Sequence, residues 1–149
     1  MSDHTLSFIE SSSEQEIQDI YNFNVEAFAD AQDFDWSITN LKKEIKDGWN
    51  LFSVNFDDDI VAALFMKEKE GTLYTKNTPI KMNFQGNGFS HMIKEFYEDV
   101  AKDRGLHRIV NYCPFDNFRM ISLNERHDYA KTGEMLGADK NIIEWEKKI

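Results

Sequence analysis

The apolar positions change period several times along the chain, and each change predicts an element. Leu6-Ser7-Phe8-Ile9 alternates and predicts a short first strand. Ser13-Glu14-Gln15-Glu16 has the S-x-x-E spacing in which serine and glutamate side chains close a helix start on each other. Ile17, Ile20, Tyr21, Asn24 and Phe28 follow at helical spacing, so the first helix has one face to bury. A second helix is predicted from near Ser37, with Ile38, Leu41 and Ile45 facing the core and Gly48 as its stop. Trp49 to Phe56 is rich in β-formers, Asp57-Asp58-Asp59 makes a polar turn, and Ile60 to Met66 is apolar enough for a central strand. After a turn at Glu68 to Gly71 the chain continues extended from Thr72 to Met82, which completes an antiparallel meander. Pro79 falls inside that third strand. It has no N–H to give a ladder, so it predicts an edge or bulge where the strand leaves its neighbour.

Beyond the meander, Phe89, Met92, Ile93, Phe96 and Val100 form an apolar stripe at helical spacing, and Gly105 ends the helix. Leu106 to Tyr112 reads as a strand. Asp116 or Asn117 can cap a short helix running through Arg126, and Tyr129 to Leu136 and Ile142 to Lys147 read as two closing strands. The order β, αα, βββ, α, β, α, ββ predicts an α/β (α+β) fold. Its sheet is mixed and mostly antiparallel, with about six or seven strands and about four helices. No Ser/Gly/Pro-rich linker divides the chain, and residues 1–149 are expected to form a single domain.

Composition narrows the setting. Hydrophobic residues make up 41% and aromatic residues 13%, enough to build a core and to exclude general disorder. The single cysteine, Cys113, cannot close an internal disulfide and suits a reducing cytosol. The Met1-Ser2-Asp3-His4 start lacks the basic and apolar parts of a secretion signal, and the run Ile60 to Met66 is far too short to span a bilayer. A cytoplasmic protein is expected. Lys plus Arg is 17 against 27 Asp plus Glu, a net charge of −10. Such a surface repels nucleic acid and anionic membranes and favours cationic partners, an amine among them. A homodimer is compatible with all of this.

Gln85-Gly86-Asn87-Gly88-Phe89-Ser90 stands between an extended segment and an amphipathic helix. The first N–H groups of a helix have no partner within it, and the helix dipole adds partial positive charge there. Two glycines permit unusual dihedrals and let an anion approach the backbone closely. Read without other context, the same six residues also describe a plain helix-starting turn. A dinucleotide fingerprint is excluded, because His91 stands where the third glycine would be. A P-loop is excluded by the lack of a terminal G-K-[ST].

The loop resembles the Q/R-x-x-G-x-G/A coenzyme A loop of the GNAT acetyltransferases. Asn117-Phe118-Arg119-Met120 with Leu123-Asn124-Glu125-Arg126 is similar to that family's N-x-x-M-x-x-L-N-E-R helix, and the element order agrees along nearly the whole chain. The resemblance implies acetyl-CoA as co-substrate. It places the pyrophosphate on the amides of Gln85, Gly86, Asn87, Gly88, Phe89 and Ser90, and the pantetheine along Ile80, Lys81 and Met82. Asn117 would contact the pantetheine arm. It also implies transfer of an acetyl group to a primary amine, on a small molecule or a protein, by direct attack. Three positions depart from the family pattern: Ser90 for Gly or Ala, His127-Asp128-Tyr129 for Leu-Gly-Phe, and Asn124 where many members carry a proton-donating tyrosine. Asparagine has no proton of comparable acidity to offer.

Direct transfer requires two positioned substrates, a stabilised oxyanion and a route for the amine proton. Catalytic candidates are therefore Glu26 as a base, Tyr112 as a substitute acid, and Asn124 by position. Asp33 and Asp35 are further acids in the loop that shapes the acceptor pocket in this family, although carboxylates are mostly surface groups. Cys113 would need a nearby base to act as a nucleophile; otherwise it is a packed thiol. Phe23, Phe28, Phe34 and Trp36 read as core, or as the lining for an apolar or aromatic acceptor. His4, His91, His107 and His127 lack metal-ligand spacing, so no metal is expected. Two alternatives accompany this reading: a non-catalytic acyl-CoA-binding or interaction module, and a transferase that takes a longer acyl-CoA.

Overall fold

The computed structural model describes residues 5–11, 13–29 and 37–149, with residues 23–29 described by backbone alone. Among the described residues twelve elements follow one another: β1 (Ser7–Glu10), α1 (Glu14–Ala29), α2 (Ile38–Lys46), β2 (Asn50–Phe56), β3 (Asp59–Lys69), β4 (Thr72–Asn77), a 3-10 turn (Met82–Phe84), α3 (Phe89–Asp103), β5 (Arg108–Pro114), α4 (Phe118–Arg126), β6 (Ala130–Leu136) and β7 (Ile142–Lys148). The strand order is β1-β2-β3-β4-β5-β7-β6. Only β4 and β5 pair in parallel among the strand pairs with an assigned register; β1–β2, β2–β3, β5–β7 and β6–β7 are antiparallel. The chain forms two compact units: Met1–Lys67 with Asn77–Phe89, and Glu68–Lys76 with Ser90–Ile149. Among the described residues, no helix is long and apolar enough to cross a membrane.

The first unit is built as the periodicity requires. Glu16 N–H donates to Ser13 Oγ at 3.1 Å and Ser13 N–H donates to Glu16 Oε1 at 3.2 Å, the reciprocal cap that the spacing predicts. Ser37 Oγ accepts from Asn40 N–H and caps α2, and Gly48 ends that helix at φ +100°. Ile17 and Ile20 of α1, Leu41 of α2, Leu51 of β2, and Ala63 and Phe65 of β3 make one buried cluster. Val61 to Met66 are all buried, as expected of a central strand. The Phe23, Phe28, Phe34 and Trp36 cluster, Asp33, Asp35 and the Glu26 side chain lie outside what is described.

The second unit holds β4, β5, β7 and β6, with α3 and α4. A two-residue turn joins β3 to β4, and both of its residues have positive φ, Glu70 at 51° and Gly71 at 78°. His107 N–H donates to Gly71 C=O at 2.7 Å, and a Cβ on Gly71 would stand 2.7 Å from His107 Cδ2. Gly71→Ala is therefore expected to cost about 1–2 kcal/mol from the left-handed conformation alone, with displacement of the His107 ring added. Urea unfolding of the variant beside the parent measures it; equal midpoints would contradict the strained geometry.

Two boundaries differ from the sequence reading. The third meander strand ends at Asn77, not Met82. Thr78 and Lys81 keep backbone bonds to β3, but Pro79 between them lacks a donor and the ladder lapses. The fifth strand begins at Arg108 rather than Leu106, because Leu106 N–H still bonds to Ala101 C=O at the end of α3.

Candidate functional site

The loop of interest is braced from behind. Thr78 N–H donates to Ala63 C=O at 2.9 Å, and Thr78 Oγ1 accepts from Ala63 N–H at 3.0 Å. Lys81 N–H donates to Val61 C=O at 3.0 Å. These bonds fasten residues 78–81 to β3, with Pro79 exposed and Ile80 buried between them. The chain then closes the 3-10 turn, where Phe84 N–H reaches Lys81 C=O at 2.9 Å.

Side chains complete the brace. Gln85 Nε2 donates back to Ile80 C=O at 2.9 Å, which ties the loop entrance to the extended segment. Asn87 Nδ2 donates to Phe84 C=O at 3.0 Å. The rings of Phe84 and Phe89 pack on Phe56, with centroids 6.3 and 5.2 Å away, so the first residue of α3 is anchored by burial. Gly86 and Gly88 sit at φ +87° and +76°, and a Cβ at either would meet no atom within 4 Å. Both glycines are thus required by dihedral, not by crowding. The loop is a preshaped, open turn that delivers the chain to a helix start where N–H groups lack intrahelical partners. Such a segment can hold an anion without a lysine.

The other cofactor candidates are placed as follows. Lys81 is half-buried and Met82 is 85% exposed. Ser90 is half-buried and opens the Ser90–Ile149 segment of the second unit. Asn117 is exposed, and its Oδ1 accepts from Met120 N–H at 3.2 Å as the cap of α4.

Of the catalytic candidates, Glu26 lies on α1 with its side chain undescribed. Tyr112 is half-buried on β5 opposite Glu144 of β7. Burial, then a hydrogen bond and the charge of Glu144, push its hydroxyl above the usual range, so it holds its proton tightly. Asn124 is wholly buried. Its Oδ1 accepts from Lys94 Nζ at 2.9 Å and from Asn111 Nδ2 at 2.9 Å, while its Nδ2 donates to Asn111 Oδ1 at 3.2 Å. Cys113 is buried on the same strand.

This polar cluster within the second unit is what sequence reading missed. Lys94 is 3% exposed and sits 4.3 Å from the Tyr129 ring centroid. Its amine is pushed down from 10.5 to about 7, chiefly by burial. His91 Nδ1 and His127 Nε2 share a hydrogen bond at 2.8 Å. Asp128, where the family pattern has glycine, takes the left-handed conformation at φ +65°, so the turn into β6 keeps that shape without the glycine. One signal was present in the sequence: His91, Lys94 and Glu98 recur at i, i+3 and i+7 beside the apolar stripe.

No family model matches the sequence, and no curated protein matches it significantly. Solved structures do match in fold. The ribosomal-protein-S18-alanine N-acetyltransferase of Escherichia coli superposes with a TM-score of 0.76 at 14% identity, covering 97% of this chain and 94% of that one. Spermidine N-acetyltransferase of Vibrio cholerae, in complex with coenzyme A and spermine, gives 0.71 at 14% identity, covering 96% and 95%. A Bacillus subtilis acetyltransferase in complex with coenzyme A gives 0.71 at 11% identity, covering 97% and 99%. Among the described residues, four α-helices and a mostly antiparallel seven-stranded order, with these superpositions, establish that the chain has the GNAT N-acetyltransferase fold.

Proposed function

We propose that the chain is an N-acetyltransferase that moves an acetyl group from acetyl-CoA to a primary amine. The observation that carries this reading is the open loop at Gly86 and Gly88, held by Gln85 and by the Phe56 contacts at the entrance of α3. A braced loop loses little freedom when it takes up a diphosphate, so more of the contact energy remains as affinity. In this reading the amides of Gln85 through Ser90 hold the pyrophosphate, and the pantetheine runs along Ile80, Lys81 and Met82. Asn117 serves α4 first as its cap and would meet the pantetheine arm with what hydrogen-bonding capacity remains.

The chemistry follows from the groups at hand. A neutral amine attacks the thioester carbonyl, the coenzyme A thiolate leaves, and one proton must pass from the amine to the medium or to the thiolate. Tyr112 is a poor donor because its hydroxyl is held protonated. Asn124 has no acidic proton and faces inward. Protonation of the thiolate by water is therefore the favoured route, with Glu26 as the candidate base on α1. The net charge of −10 favours a cationic acceptor, because it raises the local concentration of cations at the surface. The amine belongs to a small molecule or to a protein amino group, and the structural neighbours named for a ribosomal protein and for spermidine support both kinds of acceptor.

The burial of Asn124 supports a second reading, a module that binds acyl-CoA without turning it over. One experiment separates the two. Both require coenzyme A to raise the melting temperature, since it binds the folded state. Only the enzyme releases thiol when acetyl-CoA is offered with a panel of polyamines, amino acids and peptide N-termini. No thermal shift would defeat both readings; a shift without thiol release across the panel would leave the binding module.

A further inference from the structure

Within the second unit, one side of α3 carries three polar groups in register, each engaged by another element. His91 shares its hydrogen bond with His127 at the end of α4, with ring centroids 5.0 Å apart. One turn on, Lys94 donates to Asn124 of α4, which is itself locked to Asn111 of β5. One further turn on, Glu98 pairs with Lys147 of β7. We infer that this ladder is an acid-sensitive latch, which fastens α3 to α4 and the strands when Lys94 and one imidazole of the pair are neutral, and strains when they gain protons.

The geometry explains the direction. Lys94 meets the Asn124 amide and the Tyr129 ring face, and the carboxylate of Glu98 is already committed to Lys147. An ammonium there keeps the Asn124 oxygen and the Tyr129 ring face but has no carboxylate committed to it, and burying a charge without a counter-charge is costly. Two imidazolium rings cannot share a hydrogen bond, because both would be donors. The groups facing Lys94 by charge are Cys113, Glu98 and Lys147; those facing His127 are His91, Glu98, Lys94 and Lys147. Burial lowers both bases, and for His127 the neighbouring His91 adds to it.

A base lowered by folding binds fewer protons in the folded state than in the unfolded one. Stability therefore rises with pH between the two values, from about 7 to 10.5 for Lys94, and is lost as pH falls through that window. The test is melting temperature against pH for the whole chain and for Lys94→Met, from about pH 6 to about pH 9. The parent should gain roughly 3–5 °C per pH unit above pH 7 from this one group. Lys94→Met should lose that slope and melt higher than the parent near neutral pH. Parallel curves, or a variant that is less stable throughout, would overturn the latch. Should the variant fail to fold, lysine side-chain NMR of the parent decides alone. One ammonium titrating near neutrality supports the latch, and a full set titrating only in the ordinary alkaline range refutes it.

Discussion

Gly88→Asp is expected to abolish coenzyme A binding. Gly88 holds φ +76° in open space, so an added side chain meets no wall and the fold tolerates it, at a cost of about 1–2 kcal/mol for the left-handed residue. The carboxylate would stand at the loop that is proposed to take a diphosphate, and like charges at contact distance repel. Loss of two charge-assisted bonds at about 1.5–3 kcal/mol each implies roughly a 100-fold or greater rise in Kd. Gly88→Ala separates strain from charge: it carries the same dihedral penalty without the repulsion and should keep most of the affinity. Titration calorimetry with coenzyme A reads both variants. Parent-like heat from Gly88→Asp would show that the diphosphate sits elsewhere.

The second large effect belongs to Asn124. Removing its amide with Asn124→Ala leaves Lys94 and Asn111 facing each other's buried polar atoms without the group that satisfies both. Leaving a buried donor or acceptor of such a network unsatisfied costs about 1–3 kcal/mol for each group, or a drop in Tm on the order of 10 °C for the two together. Affinity for coenzyme A, measured where the variant is folded, should be unchanged, because the loop rests on β3 and Phe56. A loss below about 1 kcal/mol would mean that the network relaxes freely. A folded variant with normal binding and no turnover would instead return Asn124 to the chemistry.

The parts of the fold that were legible are those where local chemistry and burial agree. The Ser13–Glu16 cap, the Ser37 cap, the Gly48 stop and the apolar run of β3 each carry their own instruction, and the elements formed where those signals stand. The end of β4 was less legible. Extended residues look alike whether or not a ladder continues, and only Pro79 hinted at the lapse between Asn77 and Met82. The loop itself could be read from its two glycines, but its brace could not. The Gln85–Ile80 and Phe56–Phe89 contacts join side chains to groups that periodicity does not place. The polar ladder on α3 was hidden for a further reason. A lysine on an amphipathic helix is assigned to solvent by default, and the partners of His91 and Lys94 lie 36 and 30 residues away in sequence.

The chain's sole thiol, Cys113, has no exposed surface. A disulfide reagent added to the native protein would therefore find nothing to modify, and any colour that develops during turnover comes from coenzyme A alone. The same shielding makes the residue a reporter of opening. Its modification requires β5 to open to solvent, so the rate of labelling at a fixed pH times how often the core comes apart.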